Sequence, residues 1–229
     1  MAKLDTFRRV SDTGVIPAIR TSNSHGAVRT AEAILQGGVA IIEVSLAPKG
    51  ALDVLDAVAT EHGRSMLIGA GTVVDAEGVR QAALAGAQFI VTPGFSLECV
   101  AKAQEFGLAI FAGALTPTEV QTASASGADA VKLFPCFAAG GTRYLRSLRG
   151  QYPATNFIAS GGVGLDNCAE YIRAGACAIG VGGEIADAES MSIGDFRVFT
   201  VRAKRLLEAV RDARALLEES LSLNVGEGR

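Results

Sequence analysis

The chain has 229 residues, 49% apolar and 20% charged, and its 21 basic and 24 acidic side chains leave a net charge of −3. High apolar content with low net charge excludes a disordered chain, and the lack of concentrated positive charge argues against nucleic acid or an anionic membrane surface as a partner. Mean hydropathy is positive, +0.31, but no run reaches the ~18 uninterrupted apolar residues of a membrane-spanning helix.

The opening stretch, MAKLDTFRRV, lacks a signal-peptide pattern, and residues 3–10 are expected to form an extra N-terminal helix. Eight glycine-punctuated apolar runs of strand length follow: GVIPAIR (14–20), VAIIEVSL (39–46), SMLIGAGTV (65–73), AQFIVTPG (87–94), LAIFAGAL (108–115), ADAVKLFP (128–135), NFIASGGVG (156–164) and CAIGVGGE (177–184). The stretches between them, 27–36, 52–62, 76–85, 97–106, 118–126, 142–150 and 165–174, mostly show apolar spacings of three and four and many begin near Ser, Thr or Asp, the mark of amphipathic helices. Residues 195–220 read as a long final amphipathic helix. Strand–helix alternation repeated eight times predicts an α/β fold, a single-domain (β/α)8 TIM barrel over residues 1–229.

An internal repeat supports closure. Gly38-Val39, Gly86-Ala87, Gly127-Ala128 and Gly175-Ala176 each end a helix and precede a strand, with first glycines 48, 41 and 48 residues apart. Five residues past each glycine stand Glu43, Val91, Lys132 and Gly180, on the second, fourth, sixth and eighth strands. Alternate strands of such a barrel supply one inward-facing layer, so this spacing sets a carboxylate and an amine opposite each other inside an apolar tube.

Lys132 is the one lysine of five that lies within an apolar strand run. Strand interiors seldom carry lysine, and this one lies toward the strand's C-terminal end, where active sites of this architecture form. Burial disfavours an ammonium ion, and a neutral amine attacks carbonyls to form Schiff bases. A snorkelling lysine, or a structural ion pair with Glu43, is the plainer alternative. Glu43 is either that partner or a proton-transferring acid/base. The glycine-rich stretches SGGVGLDN (160–167) and GVGGEI (180–185) follow the seventh and eighth strands, whose loops commonly bind phosphate; they also suit tight turns. Thr72, Pro93 and Phe134 end strands 3, 4 and 6 and could line a mouth pocket or serve as turn residues. Arg20 ends the first strand, placed either to clamp a carboxylate or to stand on the surface. Four cysteines (Cys99, Cys136, Cys168, Cys177) without a CxxC pair, and only two histidines (His25, His62), make a Cys/His zinc site unexpected and suit reduced thiols in a cytoplasmic protein.

The set GGVAIIEVSL, IGAGTV, GAQFIVTPG, VKLFP and SGGV, in this order and spacing, resembles the 2-keto-3-deoxy-6-phosphogluconate (KDPG) aldolase family, which also holds 4-hydroxy-2-oxoglutarate (KHG) and 2-keto-3-deoxy-6-phosphogalactonate aldolases. The resemblance covers about residues 10–215. It implies a class I aldolase, usually trimeric, acting on a small 2-keto acid without metal or organic cofactor. Lys132 would form the Schiff base with the keto carbon, and Glu43 would be the general acid/base. Thr72, Pro93, Phe134 and the Ser160-Gly161-Gly162 turn would shape the pyruvate pocket. The leading expectation is cleavage of KDPG to pyruvate and glyceraldehyde 3-phosphate. KHG or unphosphorylated 2-keto-3-deoxygluconate is the alternative substrate, and a non-catalytic barrel binding a phosphorylated metabolite is the alternative of a different class.

Two positions depart from the family's pattern. Many members carry an arginine four residues after the glutamate, where this chain has Ala47, followed by Pro48 and Lys49. Arg20 is therefore expected to take the substrate carboxylate, with Lys49 a weaker candidate. Many members also read Gly-Gly-Ser after strand 8, the serine binding phosphate. Here Gly182-Gly183 would supply backbone donors, and Glu184 stands in the serine's place.

Overall fold

A computed structural model of the chain describes residues 3–226, with side chains to residue 219. Strands β1 (Val15–Ile19), β2 (Ile41–Ser45), β3 (Leu67–Gly71), β4 (Phe89–Val91), β5 (Ala109–Ala114), β6 (Ala130–Leu133), β7 (Phe157–Ser160) and β8 (Ala178–Val181) pair in parallel and in chain order into a closed barrel. Each predicted run contains one strand. Around the barrel lie α2 (Ser24–Gln36), α3 (Ala51–His62), α4 (Ala76–Leu84), α5 (Leu97–Glu105), α6 (Pro117–Ala125), α7 (Gly141–Gln151), α8 (Cys168–Arg173) and the long α10 (Arg197–Gly226). The expected N-terminal helix is α1 (Lys3–Thr13), and a short α9 (Ala188–Ile193) sits in the connection after β8. None of the helices among the described residues is long and apolar enough to cross a membrane.

Local chemistry starts and stops the helices. Asp75, Ser96 and Thr116 accept the N–H of the residue three further on and so open α4, α5 and α6, with Thr116 and Glu119 forming a reciprocal capping box. The repeated glycines Gly38, Gly86, Gly127 and Gly175 all have φ between 84° and 100°. This left-handed conformation ends a helix cheaply only at glycine, so the repeat marks where α2, α4, α6 and α8 turn into the next strand. The apolar pattern does not predict α9, because six residues are too few to display a helical period.

The barrel interior is graded from bottom to top. Ile16, Ile41, Leu67, Phe89, Phe111, Ile158 and their neighbours fill its lower part, with the Phe89 and Phe111 rings 5.3 Å apart. Gly69 makes room for them: a Cβ there would stand 2.2 Å from the Phe89 ring. Helix α1 closes the bottom with buried Val10 and with Phe7, edge-on to Phe111 at 6.4 Å. Toward the C-terminal ends of the strands the inward positions turn small or polar. Following each strand pairing and advancing one residue per strand, the slip such a barrel imposes, leads from Glu43 to Val91, Lys132 and Gly180 and back to Glu43. These four residues form one level of the interior, as the glycine spacing predicts.

The long final helix is tied to the bottom of the barrel by one side chain. Arg214 donates to the carbonyls of Ser11 (2.6 Å), Asp12 (2.7 Å) and Cys177 (2.7 Å), joining α10 to the end of α1 and the approach to β8. Hydrogen bonds from a charged donor are worth about 1.5–3 kcal/mol when well shielded, and partial exposure reduces the sum. Arg214→Ala is expected to cost about 2 kcal/mol and to lower Tm by roughly 4–8 °C, measured by thermal unfolding.

Candidate active site

A cavity of about 710 Å³ opens at the C-terminal mouth of the barrel, above the level of Glu43 and Lys132. Eleven of the residues singled out in the sequence line it: Glu43 and Lys132 from the interior, and Arg20, Thr72, Pro93, Phe134, Ser160, Gly161, Gly162, Gly182 and Gly183 from the strand ends and turns. Lys49 does not. The volume falls within the ~300–1,000 Å³ usual for small-molecule sites.

Lys132 and Glu43 are the charged pair at its floor. Their side chains are 11% and 5% exposed, and Lys132 Nζ lies 3.6 Å from Glu43 Oε1. That separation exceeds a good N–H···O hydrogen bond, so the amine faces the carboxylate without being locked to it. The Phe134 ring stands on another side, its centroid 5.4 Å from Nζ, a cation–π distance. Gly71 makes the arrangement possible, since a Cβ at that position would come within 1.8 Å of Glu43 Oε1.

The surrounding turns are built around this pair. Thr72 adopts φ 57°, a strained conformation for a β-branched residue, and its hydroxyl meets that of Ser45 at 2.9 Å. Gly113 of β5 leaves space for Pro93, whose carbonyl carbon would be 2.4 Å from a Cβ there. Gly161 and Gly162 have φ 84° and 75°. Side chains at these positions would meet Pro135 at 2.8 Å and Phe137 at 2.4 Å. The turn after β7 is thereby pressed onto the loop after β6, to which Ser160 and Gly161 carbonyls are bonded by the N–H groups of Cys136 and Phe137. Gly182 and Gly183 are different: nothing lies within 4 Å of where their Cβ atoms would sit. Arg20 is exposed at the rim and makes no hydrogen bond or ion pair among the described residues.

Some lining groups escape the sequence pattern. Ser45 follows Glu43 at the strand's period of two, a signal that was available. Ala186, Asp187 and Ala188 bring the start of α9 into the wall. Asp187 caps α9 by accepting from Ser190 N–H at 2.7 Å and pairs with Arg202 of α10 at 2.5 Å. The Ser190 N–H first, and then Arg202, push its carboxyl down to about 2. Only the Asp-to-Ser spacing of a cap hints at it. Cys99, Cys136, Cys168 and Cys177 are free thiols, and no group of three or more His, Cys, Asp or Glu side chains is placed to share a metal ion among the described residues.

Comparison with known proteins places this geometry in a family. The family model for the KDPG and KHG aldolases matches residues 7–201. A 2-dehydro-3-deoxy-phosphogluconate aldolase of Treponema pallidum is 35% identical over 207 residues, 89% of this chain and 97% of its own. A KDPG aldolase from Legionella pneumophila, solved with pyruvate captured as a covalent carbinolamine, is 27% identical at a TM-score of 0.82, covering 88% of this chain and 97% of its own. A component of a cube-shaped cage designed by fusing symmetric oligomeric domains is 29% identical at a TM-score of 0.85, covering 93% of this chain and 78% of its own. With the family model spanning most of its length and the barrel closed around the Lys132–Glu43 pair, the chain belongs to the KDPG and KHG aldolase family.

Proposed function

We propose that this cavity carries out class I aldol cleavage of a 4-hydroxy-2-oxo acid, releasing pyruvate and an aldehyde. The observation that carries the reading is the amine of Lys132, 3.6 Å from a carboxylate on the floor of an open cavity in an otherwise apolar barrel. A structural ion pair would have no need of that opening. The relative with pyruvate held as a carbinolamine supports the same chemistry.

In this mechanism neutral Lys132 Nζ attacks the C2 carbonyl, and Glu43 delivers and removes protons as the carbinolamine loses water to become an iminium ion. A base then takes the C4 hydroxyl proton. The C3–C4 electron pair flows into the iminium nitrogen as the aldehyde departs, leaving an enamine on Lys132. Protonation at C3 and attack of water at C2 release pyruvate and return the amine. Arg20, exposed at the rim and without a hydrogen bond or ion pair among the described residues, holds the C1 carboxylate. Thr72, Pro93, Phe134 and the Ser160-Gly161-Gly162 turn fit around the pyruvyl carbons. That half is common to KDPG and KHG, and the groups that meet the other half lie on the turns after β7 and β8. The working form is a homotrimer in the cytoplasm; the resemblance of the cage component, made from symmetric oligomeric domains, and exposed Val74 and Phe137 on the loops past β3 and β6, with Leu97 at the start of α5, support association.

Borohydride added with pyruvate is expected to leave one reduced pyruvate on Lys132, located by peptide mass spectrometry; an unmodified Lys132 refutes the mechanism. Glu43→Gln is expected to lower kcat about 10²–10⁴-fold, read in a coupled pyruvate assay. Arg20→Ala should raise KM for the keto acid roughly tenfold with kcat little changed, the mark of lost ground-state binding. Light scattering should give a mass about three times 23.5 kDa.

A further inference from the structure

Three successive carbonyls of the turn after β7 are tied away from the cavity. Ser160 and Gly161 accept from the N–H groups of Cys136 and Phe137 on the β6 loop, at 2.8 and 3.0 Å. Gly162 accepts from the side-chain amide of Asn167, at 2.9 Å. These peptides are trans, and a trans peptide holds its N–H opposite its carbonyl. The N–H groups of Gly161, Gly162 and Val163 therefore point away from those partners. Gly161, Gly162 and Val163 line the cavity, whereas Cys136, Phe137 and Asn167 do not, so the three donors lie on the cavity side. None of them has a hydrogen-bond partner among the described residues. Past β2, β4 and β6 the ladder instead continues, with Leu46, Thr92 and Phe134 donating to a neighbouring strand. On the β8 turn the N–H of Gly183 is open in the same way, its peptide carbonyl being taken by Ile185 and Ala186. Glu184 is exposed and bonds to none of these donors. Successive N–H groups turned to one side of a loop form a concave seat for an anion.

Glycine backbone has no strong preference of its own, so the shape of this turn depends on its anchors. Two of the three are main-chain groups of the β6 loop. The third is a side chain. Asn167 stands at the N-cap of α8, yet its side chain makes no capping bond there, although an asparagine in that position ordinarily accepts from the first turn of the helix. Its amide reaches back instead. Oδ1 accepts from the Gly164 N–H at 3.0 Å while Nδ2 donates to the Gly162 carbonyl. A backbone N–H only donates and a carbonyl only accepts, so these two partners fix which way the amide faces.

From this arrangement we infer that Asn167 is a positioning residue for the distal anion of the substrate. By holding the Gly162 carbonyl outward it keeps the Val163 N–H, beside those of Gly161 and Gly162, aimed at the phosphate or carboxylate that ends the keto acid. The inference rests on the aldolase reading above and deepens it, giving a part in substrate choice to a residue that does not line the cavity. The pyruvyl half, held on Lys132, is outside its reach.

The test measures kcat and KM by pyruvate release from KDPG, KHG and 2-keto-3-deoxygluconate, in the full-length wild type, Asn167→Ala and Asn167→Asp. The alanine removes both bonds of the amide. The aspartate keeps an acceptor for Gly164 and removes only the donation to Gly162. Each variant is expected to raise KM about tenfold or more for an anion-ended acid the wild type cleaves, the scale of hydrogen bonds to a charged group, with kcat little changed. Which of KDPG and KHG moves tells whether the seat takes phosphate or carboxylate. For 2-keto-3-deoxygluconate, which ends in a hydroxyl, KM should stay within about twofold, because lost ground-state binding shows only where the contact is made. Borohydride trapping of pyruvate on Lys132 should proceed at the wild-type rate in both variants. Should Asn167→Ala fail to fold, Asn167→Ser, too short to reach Gly162, takes its place. Equal losses on all three acids, slowed pyruvate trapping, unmoved KM values, or an effect confined to the charged aspartate each overturn the inference. Failure of the aldolase reading looks different: the wild type cleaves none of the three acids and gives no pyruvate adduct on Lys132.

Discussion

An amine and a carboxylate facing each other inside a hydrocarbon cylinder are the constraint on which the rest of the molecule depends. Two charges withdrawn from water cost several kcal/mol each unless they are paired, so neither Lys132 nor Glu43 could stand there alone. The structure meets that cost by placing both in one level of the barrel and giving them small neighbours. Gly71, Gly113 and Gly180 have no side chain to fill the space, and Val91 is the bulkiest residue sharing the level. A barrel packed to its top with Leu and Phe would be a sounder core and would hold no substrate. The gradation from aromatic rings at the bottom to glycines at the top is what separates the part that holds the fold from the part that performs chemistry.

The loops extend the same division. Thr72 remains in a strained conformation because the Ser45 hydroxyl and the end of β3 hold it, and strain of this kind persists only where surrounding structure determines it. Gly161 and Gly162 are required by close contact with the β6 loop, so their conservation of space is structural even though they line the cavity. Gly182 and Gly183, by contrast, have open space on their Cα hydrogens, so no neighbour requires glycine there.

How much of this was legible in the sequence varies with the range of the physics involved. Parallel strands buried on both faces read as continuous apolar runs, so all eight could be marked from composition and bounding glycines alone. Lys132 and Glu43 stood out because a charge inside such a run contradicts its surroundings, and the glycine repeat put them in register. What stayed hidden depends on meetings between distant segments. Asp187 and Arg202 are unremarkable surface residues until α10 docks beside the β8 connection. The Ser45–Thr72 hydroxyl pair exists only once β2 and β3 are neighbours. Gly71 looks like a strand-end glycine until the Glu43 side chain is seen lying where its Cβ would be. Glu184 was visible as a residue, but whether it faced the cavity or the solvent was decided by its packing over Gly164.

The stopper formed by α1 has a kinetic meaning. With Phe7 and Val10 filling the lower end of the barrel, the Lys132 amine lies at the base of a shaft that opens at the C-terminal mouth. Whatever is bonded to it sits beneath whatever occupies the space above. In the mechanism proposed above, the three-carbon fragment would therefore be the last to leave in the breakdown direction and the first to enter in the reverse direction, an ordered traffic imposed by architecture.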